Sequence, residues 1–114
     1  DGGTWNLFAQ VGLTSEWMKN NDRGMAAVQM NISYRREMTS GDLVEVRSGF
    51  LNVSERKVMF VHEMINRQTG DVAAVAEITG VMLDSVKRKS ALIPQENLER
   101  AKELIVEYDF GRRS

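Results

Sequence analysis

The feature that most constrains this chain is an apolar helix at its start, followed almost entirely by predicted strands. The apolar positions of one helix face recur at intervals of three and four residues: Trp5, Phe8, Ala9 and Gly12. Leu7, Val11 and Leu13 make the remaining faces apolar as well. A helix that is apolar all round has to be enclosed, and only the strands that follow are available to enclose it. The sequence therefore predicts a central helix wrapped by a curved sheet.

The composition predicts one domain, residues 1–114, with a single modest core. Fifteen basic and sixteen acidic residues give a formal charge of −1, which provides no electrostatic reason to bind nucleic acid or an anionic membrane. The absence of cysteine excludes disulfides, thiolate zinc sites and a cysteine nucleophile. No apolar run approaches the length of a bilayer span and no signal peptide is visible, so we expect a cytoplasmic protein.

Capping residues and periodicity predict the secondary structure. Three helices are expected, over residues 4–11, 14–20 and 95–108. Gly12 is expected to end the first helix, and Leu98, Leu104 and Ile105 form the apolar side of the last. Four strands are expected, over residues 25–36, 43–53, 58–66 and 72–83. One helix followed by long antiparallel strands makes an α+β fold.

Alternation of apolar and polar residues predicts one buried face on each of the first two strands. The inward residues are Val28, Met30, Ile32 and Tyr34 in the first strand, and Val44 and Val46 in the second. Gly49 predicts a bulge or a bend, and Gly70 a hairpin turn that needs a positive φ. Residues 72–76 are apolar on both faces, so we expect them to be covered twice. Consecutive hairpins are the simplest pairing, with a crossover between the first two strands as the alternative.

Several short motifs occur in the order and spacing of a known family: Thr4-Trp5-Asn6-Leu7-Phe8, Ile32-Ser33-Tyr34, Ser40-Gly41-Asp42, Phe60-Val61-His62-Glu63-Met64, Thr69-Gly70, and Met82-Leu83-Asp84 with Arg88 before Pro94. With these motifs the chain resembles the hotdog-fold thioesterases of the 4-hydroxybenzoyl-CoA thioesterase type, and among them the acyl-CoA thioester hydrolases. The resemblance implies an antiparallel sheet around the N-terminal helix, with a C-terminal helix. It also implies a homodimer or homotetramer whose acyl-CoA sites lie at the subunit interface.

The chemistry that the resemblance implies is hydrolysis of a thioester. A carboxylate acts as general base or nucleophile, and backbone N–H groups at the helix start hold the oxyanion. Coenzyme A takes part as a portion of the substrate, and no metal or redox cofactor is expected. Members of the family carry the catalytic Asp just before the helix, on and after a first strand. We therefore expect the first strand and the acid to lie upstream of Asp1. In a second hotdog group the acid is on the helix, at a position that falls near Gln10, which cannot act as a base.

The candidate catalytic residues are Asp1, Gly2, Gly3 and His62. The N–H groups of Gly2 and Gly3, at a helix N-terminus, are suited to hold a carbonyl oxygen, or they form a flexible start. Asp1 is either a general base or a remnant of the preceding loop. His62 is the only histidine, so no histidine pair can bind a metal, and it is either catalytic or a packed residue.

The candidate substrate-binding residues form two basic clusters: Lys87, Arg88, Lys89 and Ser90 in one, and Tyr34 and Arg36 in the other. Several cations and a hydroxyl in a short loop suit the phosphates of coenzyme A. An ordinary solvated basic loop is the alternative interpretation.

The sequence thus predicts an acyl-CoA thioesterase subunit. A non-catalytic hotdog module that binds acyl-CoA or an acyl carrier is the second hypothesis. A hotdog hydratase or dehydratase is the third, and that chemistry usually needs an Asp/His pair in the site. Measuring hydrolysis of a CoA thioester distinguishes the first hypothesis from the second.

Overall fold

The computed structural model describes residues 7–37, 41 and 43–106, which form an α+β fold. Helix α1 is described over residues 7–9, α2 spans Ser15–Asn20 and α3 spans Gln95–Glu103. The strands are β1 (Arg23–Tyr34), β2 (Val44–Val53), β3 (Lys57–Asn66), β4 (Val72–Asp84) and β5 (Lys89–Ser90). They form one antiparallel sheet in the order β1–β4–β3–β2, and β5 pairs with the end of β4.

The pairing of strands combines two hairpins with one crossover. β2 pairs with β3 and β3 with β4, as the predicted hairpins require. Gly70 in the β3–β4 turn has φ +79°, which confirms the expected left-handed position. β1 pairs with β4 rather than with β2, so the alternative crossover is the connection that forms.

The predicted burial of α1 is confirmed on one face only, because Ala9, which the sequence pattern places on the apolar face, is exposed. The exposed fractions of Leu7, Phe8 and Val11 are 3%, 2% and 0%. The Phe8 ring lies edge-on to Phe60, with centroids 5.3 Å apart, and stacks beside Phe50 at 6.2 Å. These contacts place α1 over β2 and β3. Residues 73–76 of β4 are also buried, as their two-sided apolar pattern predicts. Trp5 lies outside the described residues.

The C-terminal end of α1 is bonded directly to α3. Gly12 ends the helix with φ +82°, as predicted. The Asn97 side chain donates from Nδ2 to the Val11 carbonyl at 2.6 Å, and Arg100 donates from Nη2 to the Gln10 carbonyl at 3.1 Å. Asn97 is 4% exposed, and its Oδ1 is buried with no hydrogen-bond partner among the described residues. Helix α3 thus satisfies two carbonyls that a helix end leaves unpaired.

The predicted burial of the alternating faces of β1 and β2 is wrong for the single chain. The side chains predicted to point inward are all exposed: Val28, Met30, Ile32 and Tyr34 in β1, and Val44 and Val46 in β2. Both strands lie at edges of the four-strand path, and α1 covers β3 and the Phe50 end of β2. Alternation predicted which residues share a face, but it could not predict whether anything in the chain covers that face.

Other boundaries differ from those predicted. Helix α3 ends at Glu103, so Leu104 and Ile105 follow the helix instead of lining its apolar side, and Ile105 forms a parallel bridge with Phe50. The predicted end at Tyr108 lies outside the described residues. The second helix starts as predicted, because the Oγ1 atom of its N-cap residue, Thr14, accepts the backbone N–H of Trp17 at 3.0 Å.

The bulge expected at Gly49 lies two residues further along β2. The register between β2 and β3 shifts between Phe50 and Asn52, which leaves Leu51 as the extra residue. Gly49 is needed for a different reason. A Cβ at that position would lie 3.0 Å from the Val106 side chain, so the glycine permits the close approach of the segment after α3.

Candidate functional site

Contacts of the described part of α1 and of the residues that follow it give the direction of this helix segment along the sheet. The C-terminal end of α1 is held by α3, and the segment leading into α3 is tied to the β2–β3 turn by a bond from Ile93 N–H to the Glu55 carbonyl at 2.7 Å. Phe8, about one turn back along the helix, lies over Phe60. Followed backward from its C-terminal end, α1 therefore leads away from the β2–β3 turn. In that direction it leads toward the residue that follows Phe60 on the same face of β3. That residue is His62.

His62 is held between a ring and a hydroxyl. It is 6% exposed, and its imidazole lies edge-on to Phe60 with centroids 5.4 Å apart. Its Nδ1 shares a hydrogen bond with the Ser48 hydroxyl. Burial lowers the pKa of His62 below the ordinary value of 6.5, because the low-dielectric surroundings disfavour the imidazolium. At neutral pH His62 is therefore an uncharged imidazole, packed against the Phe60 ring that contacts Phe8 of α1.

Sequence reasoning missed Ser48. It stands directly opposite His62 in the β2–β3 ladder, on an exposed part of the edge strand. Directly opposed residues of an antiparallel pair have their Cβ atoms about 4.5–5.5 Å apart, which brings the hydroxyl within reach of the ring. The register of the hairpin is the only sequence signal that could have linked these two positions.

The strand glutamates lie on the other face of the sheet. Glu63 follows His62 in β3, so its side chain points to the opposite side. Glu77 is paired with Val61 and shares that opposite face. Glu63 is buried and stands across the ladder from Arg47. Neither carboxylate is therefore on the helix side with His62. The remaining predicted catalytic residues, residues 1–3, lie outside the described residues.

Residues Lys87–Ser90, here called the basic turn, are organised by one aspartate. The Asp84 carboxylate accepts the backbone N–H groups of Val86 and Lys87, both at 2.9 Å, and the Arg23 side chain at 3.1 Å. These partners, the Lys87 N–H foremost, lower the pKa of Asp84. Arg88 sits in the left-handed region with φ +58°. The result is an ordered turn whose Lys87, Arg88 and Lys89 are all exposed.

The last residue of the basic turn has a cationic neighbour that the sequence did not indicate. Ser90 pairs with Leu83 as part of β5. Its Oγ accepts a hydrogen bond from Nη1 of Arg56 at 3.0 Å, and the same nitrogen donates to the Ser90 carbonyl at 3.2 Å. Arg56, from the β2–β3 turn, therefore adds a further cation to those of the basic turn at this end of the sheet.

The second predicted cluster lies at the far end of β1. Tyr34 is 80% exposed, and the backbone N–H groups of Arg35 and Arg36 both donate to the Ala73 carbonyl, at 2.8 and 3.2 Å. Residues 34–37 line a shallow depression of about 490 Å³. The depression is open to solvent, and two of its four lining residues, Arg35 and Arg36, are basic.

The structure does not bring the two basic clusters together within one chain. In register, His62 stands beside Ala76 and Ala76 beside Ile32, which puts Ile32 about 10 Å and Tyr34 about 12 Å from His62 at normal strand spacing. From Ala76 to Asp84 is eight residues, or about 26 Å along β4. His62 and the Tyr34 cluster thus share one end of the sheet, and the basic turn lies at the other.

Within residues 7–37, 41 and 43–106, no group of three His, Cys, Asp or Glu side chains is arranged to hold a metal ion. In the same part of the chain, no helix is long and apolar enough to cross a membrane.

Comparison with known proteins gives a family and a fold. A sequence model of the thioesterase-like superfamily matches residues 1–101. Among curated proteins, none matches the chain significantly.

Several solved structures share the fold. YbaW, a probable thioesterase from Escherichia coli, is 22% identical, with a TM-score of 0.70 over 87% of this chain and 76% of that one. SAV2348 from Staphylococcus aureus, solved in complex with CoA, is 13% identical, with a TM-score of 0.79 over 92% and 68%. The BH1999 gentisyl-coenzyme A thioesterase is 15% identical, with a TM-score of 0.75 over 90% and 78%. These likenesses confirm the predicted hotdog fold.

Proposed function

We propose that this chain, which belongs to the thioesterase-like superfamily, is a subunit of an enzyme that hydrolyses acyl-CoA thioesters. The match of the family model to residues 1–101 is the observation that carries the proposal. Two proteins with this fold add support, because one was solved in complex with CoA and the other is a gentisyl-coenzyme A thioesterase.

In the proposed mechanism, thioester hydrolysis needs an activated water and donors for the carbonyl oxygen. We assign the first role to a carboxylate, for which Asp1 is the candidate within this sequence. We assign the second to backbone N–H groups at the N-terminal end of α1, including those of Gly2 and Gly3. A helix start presents unpaired N–H groups and a partial positive charge, both of which stabilise a developing oxyanion. The course of α1 toward His62 supports a site at that end of the sheet.

The basic turn supports the proposal only if it belongs to a second subunit, because it lies about 26 Å along β4 from the position beside His62. We propose a homodimer in which the β1 edges pair antiparallel about a twofold axis near the strand centre. The Arg23 end of one β1 then meets the Tyr34 end of the other. The partner subunit's basic turn is thereby brought to the end of the sheet that holds His62 and Arg36, where its cations would bind CoA phosphates.

The exposed side chains of β1 support this dimer. Met30 and Ile32 are 53% and 43% exposed on the helix side of an edge strand, which otherwise presents unpaired backbone groups. Pairing of two such edges would satisfy those groups and cover the apolar side chains.

Release of free CoA thiol from a panel of acyl-CoAs, followed with a thiol reagent on the full-length protein, tests the activity. We expect turnover, with KM raised and kcat nearly unchanged in Lys87→Ala and Lys89→Ala, because phosphate binding is uniform between ground and transition states. Arg88→Gly tests the third cation while allowing the positive φ. Tight CoA binding without turnover would contradict the enzymatic proposal and support a binding module instead.

Mixed dimers test whether the site is shared. One chain carries His62→Ala, and the other carries Lys87→Ala with Lys89→Ala. If each site takes its basic turn from the partner, one of the two sites in the mixed dimer keeps both parts. With the acyl-CoA held well below the raised KM, where both homodimers are impaired, activity then reappears on mixing. If each chain supplies both parts, neither site is intact and mixing restores nothing. The second result would contradict the shared site while leaving the thioesterase activity itself to the assay above.

A further inference from the structure

We propose that Ser48 is a positioning residue that holds His62 as an uncharged imidazole with its proton on Nε2. In this state His62 serves the reaction proposed above, on which this inference rests, as a fixed hydrogen-bond donor and not as a general base. Nothing in the family match assigns a role to either residue.

The contact that carries this inference is the bond between the Ser48 hydroxyl and Nδ1 of His62. An uncharged imidazole has one nitrogen that donates and one that accepts. A hydroxyl can rotate to donate its hydrogen to the accepting nitrogen, and its oxygen can still be hydrated, because Ser48 is exposed. With the hydroxyl as donor, Nδ1 is the acceptor and the proton lies on Nε2.

The surroundings of His62 fix the plane of the ring as well as the tautomer. The ring is edge-on to Phe60, which is itself edge-on to Phe8 of α1. The three aromatic groups therefore form a continuous packed row from the helix to the imidazole. A ring that is packed on one side and bonded at Nδ1 has little freedom to turn.

A preset N–H donor at this place has a chemical use. The carbonyl oxygen of a thioester gains negative charge as water adds, and donors already oriented toward that charge lower the barrier without reorganising. An imidazole with its proton on Nε2 can supply one such donor beside those of the helix start. A base would need the same nitrogen unprotonated, so the two roles are exclusive.

Nitrogen-15 NMR of the single histidine tests the tautomer directly, since no second imidazole contributes signals. In the wild-type protein we expect a protonated Nε2 and an unprotonated Nδ1. Ser48→Ala should give a mixture of tautomers, and Ser48→Thr, which keeps the hydroxyl, should restore the wild-type spectrum. Ser54→Ala, an exposed serine of the same hairpin, is the matched control and should change nothing.

The kinetic arm uses the same variants with an acyl-CoA that the wild-type protein hydrolyses. Loss of one oriented bond predicts that Ser48→Ala lowers kcat about three- to tenfold with little change in KM, and that Ser48→Thr recovers most of it. A wild-type spectrum with the proton on Nδ1, or an unchanged spectrum and kcat in Ser48→Ala, would overturn the inference. If no acyl-CoA is hydrolysed, the proposed function fails, while the spectra still decide whether Ser48 sets the tautomer.

Discussion

Gly12 and Asn97 should be energetically coupled, and the structure gives the size of the coupling. Gly12 has φ +82°, and a Cβ built on it would lie 2.9 Å from Nδ2 of Asn97. That nitrogen donates to the Val11 carbonyl, so an alanine at position 12 strains the backbone and also displaces the donor. The left-handed conformation costs a non-glycine residue about 1–2 kcal/mol.

The lost bond can be estimated separately. Removing a partner from a buried acceptor costs about 1–3 kcal/mol. Asn97→Ala also removes the buried Oδ1, which has no partner among the described residues. We therefore expect this substitution to destabilise the fold by about 1–2 kcal/mol, at the lower end of that range. Gly12→Ala then costs about 2–4 kcal/mol, as the sum of strain and lost bond. The double variant also costs about 2–4 kcal/mol, because the bond can be lost only once.

Equilibrium urea unfolding measures the cycle, with stability taken from midpoints at constant m-value. The double variant should be more stable than the sum of the single variants predicts, by about 1–2 kcal/mol. Gly24→Ala is the control, since that glycine has no positive φ and a Cβ there meets nothing within 4 Å. Additivity within about 0.5 kcal/mol would refute the claim that Gly12 acts through the Asn97 bond.

Two further predictions concern the core and His62. Phe8→Ala should lower the free energy of unfolding, measured in urea, by about 3–5 kcal/mol, because the Phe8 side chain is 2% exposed and lies between Phe50 and Phe60. The control is Val86→Ala, at a 70% exposed position, which should change the stability by no more than about 0.5 kcal/mol. Equal effects of the two substitutions would contradict the central placement of α1. Because burial lowers the pKa of His62 in the folded state, the unfolded chain takes up a proton first as the pH falls below 6.5. The free energy of unfolding should therefore fall as the pH drops through 6.5 toward the lowered folded value, and His62→Gln should remove that slope; a slope that survives the substitution would assign it to other groups.

The buried face of α1 could be predicted from the sequence because its apolar side chains recur at helical spacing. Leu7, Phe8 and Val11 lie within about 100° of arc around the helix axis, so a single surface of the sheet can cover them. The sharp turns were predictable for a similar local reason, since Gly12 and Gly70 occupy backbone conformations that few other residues adopt. Both predictions depend on neighbours within a few residues, which a sequence displays directly.

Burial of β1 could not be predicted, because it depends on partners far along the chain. Its alternating pattern assigned Met30 and Ile32 to one face, and the register with β4 places both on the side that carries α1. The crossover makes β1 an edge strand, beyond the reach of the helix. An apolar face that its own chain leaves uncovered is the pattern expected where a second subunit contributes the cover, which is why the misjudged burial and the proposed dimer concern the same residues.

The Ser48–His62 pair shows how one inserted residue decides the chemistry of a site. Next to the turn, Val53 stands opposite Val58 and Asn52 opposite Met59. Continued without interruption, that register would set Ser48 against Glu63, on the face away from the helix. The extra residue at Leu51 slips the ladder by one position, so the hydroxyl meets the imidazole beneath α1. A slip of one residue exchanges the two faces of a strand, and no local property of Leu51 marks it as the bulge. The pair is therefore specified by the hairpin register, which beyond the bulge sets Phe50 opposite Phe60, with both rings in contact with Phe8.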